Sequence, residues 1–357
     1  MKLLKETIAA IPSLDEYAMQ QTQLRLDGLT KPPGSLGKLE EIAVQLAGIT
    51  GQAFPKVDVA RVVLFAADHG VVDEGVSAFP QDVTAAMVLN FLKGGAAVNV
   101  FARQAKSQIQ LIDIGMKETI NHPDLIHKKV KAGTDNFCLE PAMTSEEAIQ
   151  ALEIGISMAH LAQNQGVHIL ATGEMGIGNT TASSALTAVL AQLPVEDVVG
   201  AGTGLDAQGV ERKIDAIKRG IVLNQPDRND PLGTLAKVGG LEIAGLAGLI
   251  LGAASLRLPI IIDGFISSAA ALVAYKLAPA CKNFMLASHA SAEPGHQQVL
   301  CAMDLEPMIW LNMRVGEGTG AVLMMHLVKA SILVLKEMAT FSEARVPGQL
   351  KMEGDHV

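Results

Sequence analysis

Arg61-Val62-Val63-Leu64-Phe65-Ala66-Ala67 is a short run, continuously apolar after its first residue, that stops at Asp68-His69-Gly70. Such a run reads as a strand buried on both faces. The plan repeats outward along the chain. Ile109 to Ile114 ends near Asp113 and Gly115, Val167 to Thr172 ends at Gly173-Glu174, Leu258 to Ile262 ends at Asp263-Gly264, and Asn283 to Ala287 ends at Ser288-His289. Helical segments lie between. The clearest runs from Thr144 to Gln165: Thr144 and Glu147 form a capping box, Leu152, Gly155, Met158 and Ala159 share one face, and Gly166 stops it. Strand, helix, strand, repeated, predicts an α/β fold with a parallel sheet covered on both faces. Ligands of such sheets bind beyond the carboxyl ends of the strands, where the Asp, Glu, Ser and His of this sequence cluster.

Composition narrows the function classes. The chain has 357 residues, 49% of them hydrophobic, and a formal net charge of -9. That supports a large core and offers no basic track for a nucleic-acid backbone. The three cysteines, Cys138, Cys281 and Cys301, stand far apart without a CxxC, which suits a reducing cytoplasm and argues against a disulfide scaffold or zinc site. The first residues lack a signal-peptide core. Ile243 to Leu256 is shorter than the ~20 residues of a membrane span. Its Gly245, Gly248 and Gly252 predict a buried, closely packed helix. Residues 1 to about 28 read as an amphipathic helix, and Lys31-Pro32-Pro33-Gly34 as a shaped loop, with Ser35 capping a helix from Leu36 to about Ile49. The expected organisation is a large α/β domain over 29–327 and a small helical domain from 1–28 with 328–357.

Several constellations could carry chemistry. In Arg314-Val315-Gly316-Glu317-Gly318-Thr319-Gly320, three glycines surround one carboxylate. A flat ring could approach this backbone closely, and Glu317, partly withdrawn from water, would gain basicity. The plainer reading is a turn with an exposed Glu. Gly173-Glu174-Met175-Gly176-Ile177-Gly178-Asn179-Thr180-Thr181 follows a strand and opens a helix. Its free N–H groups suit a phosphate, although the pattern is neither a Walker A loop nor a full dinucleotide fingerprint; a ligand-free turn is the alternative. Gly200-Ala201-Gly202-Thr203-Gly204 is a second such turn, for which Lys213 either supplies a countercharge or is a solvated surface lysine. Asp263, before Gly264, either binds ribose hydroxyls or caps the helix after Phe265. Ser288-His289-Ala290-Ser291-Ala292-Glu293 offers hydroxyls and a His, but no GxSxG elbow supports hydrolase chemistry. Asp68-His69 lacks a third ligand nearby, so no structural metal is expected. Met175 and Met313 read first as core fillers.

Taken together and in order, Lys31-Pro32-Pro33-Gly34-Ser35-Leu36-Gly37, Ala67-Asp68-His69-Gly70, the 173–181 turn, Asp263-Gly264-Phe265, the 288–293 segment and the 314–320 segment resemble the nicotinate-nucleotide–dimethylbenzimidazole phosphoribosyltransferase (CobT) family over nearly the whole chain. The resemblance implies a three-layer Rossmann-like sheet, a small helical domain from both termini and a homodimer. It implies transfer of 5-phosphoribose from nicotinate mononucleotide to 5,6-dimethylbenzimidazole, with no cofactor or metal. Glu317 matches the family's catalytic base and Glu174 an acid at the sugar end. Ring walls would come from Ser77, Phe79 and Met87 with the backbone at Val315-Gly316. Phosphate would sit on Gly176, Gly178 and Gly202 beside Ser291 and Lys213, with Met175, Asp263 and Gly264 completing the substrate contacts. Ala86 stands where many relatives resemble Gln, which puts a strict choice of base in doubt. A ligand carrier without turnover, and a nucleoside phosphorylase or hydrolase, are the competing classes.

Overall fold

The computed structural model describes residues 1–202 and 204–347. Six strands form one parallel sheet: β1 (Ala60–Ala67), β2 (Gln108–Gly115), β3 (Leu125–His127), β4 (Ile169–Met175), β5 (Ile260–Ile262) and β6 (Met285–Ala287), in the order β3-β2-β1-β4-β5-β6. The order reverses between β1 and β4, as in a doubly wound sheet. Neighbouring residues of a strand face opposite ways, and every residue of β1 is buried, so both faces are covered. Phe65 pairs with Glu174 and Ala66 with Met175 in the β1–β4 register. The fourth strand therefore runs on through Gly173 and Glu174, beyond the stop expected at Thr172. The carboxyl ends of β1, β4, β5 and β6 are left at one edge.

The apolar helix Leu241–Ser255 is buried along all but its last residue. It meets helix Ser145–Asn164 backbone to backbone. A Cβ at Gly155 would stand 1.9 Å from the Gly245 carbonyl, and one at Gly248 would stand 1.9 Å from the Leu152 carbonyl. Gly245 itself turns toward Phe65 and Ile114 of the sheet. The predicted glycine stripe thus serves two neighbours. The Thr144 capping box forms as expected, with Glu147 N–H to Thr144 Oγ1 at 3.1 Å and Thr144 N–H to Glu147 Oε2 at 2.8 Å.

The chain divides into two compact units, Met1–Ser13 with Asp58–His326, and Leu14–Val57 with the chain from Leu327 onward. Residues 348–357 of the expected small domain lie outside the described residues. The predicted N-terminal helix is two helices, Lys2–Ala9 and Glu16–Asp27. Pro12 interrupts it, and Asp15 restarts it by accepting the Ala18 N–H at 2.9 Å. In the smaller unit Ser35 does not cap the next helix. That helix is Lys38–Thr50, begun by Gly37, and Glu40 accepts the Leu36 N–H while pairing with buried Lys31 at 2.9 Å.

Candidate active site

A cavity of about 370 Å³ opens at the carboxyl edge of the sheet, within the larger unit. Glu317, Glu174, Met175, Gly176, Gly202, Gly264, Ser291, Val315, Gly316, Phe79 and Met87 all line it. Residues separated by more than two hundred positions in the chain meet there because parallel strands deliver their ends to one edge.

The 316–318 loop is held in an unusual conformation. Gly316, Glu317 and Gly318 have φ of 78°, 64° and 89°. A non-glycine residue in this left-handed region costs roughly 1–2 kcal/mol, so other contacts must hold Glu317 there. Asp263 supplies them from the end of β5: one oxygen accepts the Gly318 N–H at 3.0 Å, the other the Ala321 N–H at 2.9 Å. Glu174 adds a third, accepting the Glu317 N–H at 3.3 Å. The glycines are required by space as well. A Cβ at Gly316 would lie 2.5 Å from Glu174 Oε1, and one at Gly318 would lie 2.9 Å from the Thr172 carbonyl. Asp263 therefore caps helix Thr319–Glu337, not the helix after Phe265. Its carboxylate is committed to main chain and does not line the cavity, which corrects its placement as a direct ribose contact.

Glu317 is half-buried, and its Oε2 has no hydrogen-bond partner. Burial pushes its carboxyl up to about 7, and the Asp263 carboxylate adds to the rise. Glu174 is deeply buried and pushed up to about 8, by burial first and then by Asp263 and Glu242. It also accepts a short hydrogen bond from the Asn179 side chain. The site thus holds two carboxyls whose proton affinities lie near neutrality, the range in which a side chain can exchange protons with a reacting group.

Glycine-rich turns form the opposite side. Gly178, with φ of 96°, begins helix Asn179–Ala191. Its α-carbon packs toward Val72 and His69, so Gly176 and Gly202, and not Gly178, line the cavity. Behind Gly176 lies a buried pair, His69 Nε2 to Glu242 Oε1 at 2.7 Å. Lys213 is fully buried, which rules out the solvated-lysine alternative. Its ammonium donates to Thr180 Oγ1 at 2.8 Å and lies 3.4 Å from the Gly200 carbonyl. A Cβ at Gly202 would come within 3.3 Å of it. Burial lowers the Lys213 ammonium to about 8. Ser291 is fixed by its N–H, which donates to His296 Nδ1 at 2.9 Å.

The remaining wall is apolar: Phe79, Val83 and Met87 on one side, with Met175, Ile177 and Val315. Met175 is thus a lining residue and not only core. Ser77 does not line the cavity; its hydroxyl accepts the Phe79 N–H at 3.1 Å and shapes the loop that carries the ring. Ala86 lies exposed on helix Val83–Leu92, outside the lining. Asn179, Thr180, His289, Glu293 and Arg314 also line the cavity and were not among the predicted site residues, although every one falls inside a quoted motif. Among the described residues no group of three His, Cys, Asp or Glu could hold a metal ion.

The DBI_PRT phosphoribosyltransferase family matches residues 11–346. A nicotinate-nucleotide–dimethylbenzimidazole phosphoribosyltransferase of Halalkalibacterium halodurans is 51% identical over 354 residues, 99% of each chain. The enzyme of that name from Chloroflexus aggregans is 54% identical over 347 residues, 97% of this chain and 98% of its own. Among solved structures, CobT from Thermus thermophilus superposes with a TM-score of 0.90 at 48% identity, covering 93% of this chain and 100% of its own. Identity of this extent, over nearly the whole chain, makes this chain a member of the nicotinate-nucleotide–dimethylbenzimidazole phosphoribosyltransferase family.

Proposed function

We propose that this protein moves 5-phosphoribose from nicotinate mononucleotide to 5,6-dimethylbenzimidazole, releasing nicotinate and forming α-ribazole 5'-phosphate for the lower ligand of cobalamin. The observation that carries the reading is Glu317: a carboxyl near neutral proton affinity, without a partner on Oε2, at the meeting of an apolar wall and a glycine-rich cradle.

The chemistry asks for little more. The pyridinium nitrogen of the donor already carries positive charge. When its bond to C1' breaks, the electron pair returns to the ring and nicotinate leaves neutral at nitrogen, so no strong general acid is needed. One benzimidazole nitrogen forms the new bond to C1', on the opposite face, which turns a β-linkage into an α-linkage. The other nitrogen then carries an acidic N–H, and Glu317 takes that proton. Base catalysis of this kind contributes typically ~10² to 10⁴ in rate. Phe79, Val83 and Met87 give the benzimidazole an apolar surface. Gly176, Gly202 and Ser291 offer main-chain and hydroxyl donors to the phosphate, and buried Lys213 supplies countercharge through the thin Gly202 backbone. Asp263 acts on the reaction through the loop it holds.

A homodimer working in the cytoplasm, without nucleic-acid or membrane partners, is part of this reading. Its support is the net charge of -9, the separated free cysteines, and the exposed Trp310, Leu311 and Val315, an apolar surface that a second copy would cover. Light scattering tests the assembly. The activity is tested by supplying nicotinate mononucleotide with a panel of benzimidazoles and phenols and identifying products by mass. Nicotinate release with water or phosphate and no aromatic base would favour a hydrolase or phosphorylase, and ligand binding without any product would leave a carrier.

A further inference from the structure

Thr84 and Gln81 stand behind the apolar wall of the cavity and take no part in the transfer as described. The wall is carried by one stretch of chain, with Phe79 on a loop and Val83 and Met87 a turn apart on helix Val83–Leu92. Thr84 follows Val83 but turns inward and is fully buried. Its Oγ1 accepts the Ile177 N–H at 3.1 Å, so the helix is tied to the segment after β4. The same hydroxyl stands by Asp68, just past β1, where burial raises the carboxyl and the Lys117 N–H and the Thr84 hydroxyl oppose the rise. Gln81, between Phe79 and Val83, makes a second tie. Its Nε2 donates to the His69 carbonyl at 2.9 Å, and its Oε1 accepts from the Lys117 ammonium at 2.6 Å. The Thr84 N–H donates to the Gln81 carbonyl at 3.0 Å, which joins the ties to each other.

Neither side chain lines the cavity, so each acts through what it holds. Apolar packing is non-directional and leaves a helix some freedom to slide. A buried N–H with a single acceptor does not, because parting the two leaves the donor unpaired. The hydrogen bonds therefore decide how far Phe79, Val83 and Met87 stand from the opposite side of the cavity. We infer that Thr84 and Gln81 are positioning residues that set the depth of the aromatic-acceptor pocket, and with it the preference for a base carrying the methyl groups of dimethylbenzimidazole over one without them. This rests on the assignment of the apolar wall to the aromatic acceptor. With the ties removed the wall is free to draw back, and the methyl groups lose the surface against which they are buried.

Calorimetric titration with dimethylbenzimidazole and with unsubstituted benzimidazole tests this without requiring turnover. The natural protein is expected to bind dimethylbenzimidazole about tenfold more tightly, as burial of the added methyl groups implies. Thr84→Val keeps the shape and removes the acceptor, and the preference is expected to fall to about threefold or less. Thr84→Ser restores the hydroxyl and is expected to restore the preference. A merely structural role lowers the number of competent sites and leaves the ratio of the two affinities alone. Should Thr84→Val not fold, Gln81→Met decides by the same ratio. An unchanged preference in the deciding variant, or equal loss in Thr84→Ser and Thr84→Val, overturns the inference, as does a natural protein that binds both bases alike. If the preference behaves as expected but no α-ribazole 5'-phosphate is formed, the transferase reading fails while this one stands.

Discussion

The Glu317 N–H donates to Glu174 Oε1 at 3.3 Å, so the proposed base and the second buried acid belong to one small network. Asp263 completes it from below, through Gly318 and Ala321. Asp263 raises the proton affinity of both Glu174 and Glu317. Carboxyls with proton affinity near neutrality are thereby built from ordinary glutamates by burial and by crowding of like charges.

The first consequence is a pH profile. Glu317 must be ionised to accept a proton, and its carboxyl is pushed up to about 7. The rate of transfer at fixed substrate is expected to climb from acid pH and level off above about 7. In Asp263→Asn the neighbouring charge is gone, the Glu317 carboxyl falls, and the acid limb moves to lower pH. The same variant places an amide N–H against a main-chain N–H, so a loss of about 1–3 kcal/mol in stability is expected. Rate profiles and melting curves of the two proteins check both signs. An acid limb that stays put in Asp263→Asn contradicts the coupling.

Glu174 gives a second pH effect, on stability. Its carboxyl lies at about 8 in the folded protein, against 4.5 for an ordinary glutamate. The folded state holds this proton more tightly than the unfolded chain. The contribution is fully present below about pH 4.5 and is lost as pH rises through about 8. Glu174→Gln, neutral at every pH, is expected to melt higher relative to the natural protein at alkaline pH than at mildly acid pH. A difference in melting temperature independent of pH would contradict a protonated Glu174.

Lys213 is expected to serve the nucleotide and not the aromatic base. Lys213→Ala removes the countercharge behind Gly202 and should raise the KM for nicotinate mononucleotide by about tenfold, and change that for dimethylbenzimidazole far less. Because burial lowers the ammonium to about 8, nucleotide KM in the natural protein should also rise above that pH. Equal loss for both substrates contradicts a phosphate role.

The sequence made some of this plain and hid the rest for identifiable reasons. Strand β1 is legible because burial on both faces leaves an apolar run unbroken after Arg61, and β2 and β4 because their buried centres, Leu111-Ile112 and Ile169-Leu170-Ala171, are apolar. Strands β5 and β6 are equally short but fully buried and apolar, whereas β3 has three residues with only Leu125 buried, and the extra pair β7 (His289–Ala290) and β8 (Ile309–Trp310) has two each, so neither leaves an apolar run. The glycines around Glu317 advertise a close approach. What they cannot show is that Asp263, 55 residues away from Gly318, is the group that fixes the loop. Lys213 falls on the inward face of helix Ala207–Asn224 with Gly209, Ala216, Ile217 and Gly220, while Arg212 is exposed; the periodicity points it inward, but only the structure shows that Thr180 and the Gly200 carbonyl receive its ammonium. Glu293 is visible inside a motif, but the close approach of Gly200 to its carboxylate is not, because the chain brings Gly200 from elsewhere.

Core packing offers a prediction independent of the chemistry. A methyl group at Gly155 or Gly248 would stand 1.9 Å from a backbone carbonyl of the facing helix. Neither backbone can yield without separating the helices. Gly248→Ala is expected to destabilise the fold by about 3 kcal/mol, the upper range for overpacking, which chemical denaturation would measure. A change below measurement error would show that the helices are not in direct backbone contact.

The role of Glu317 is read most directly from the turnover of Glu317→Gln with nicotinate mononucleotide and dimethylbenzimidazole both saturating, beside calorimetric binding of each substrate. A fall in kcat of roughly 10² to 10⁴ is expected, with both substrates still bound. Turnover near that of the natural protein would contradict Glu317 as the acceptor of the benzimidazole proton.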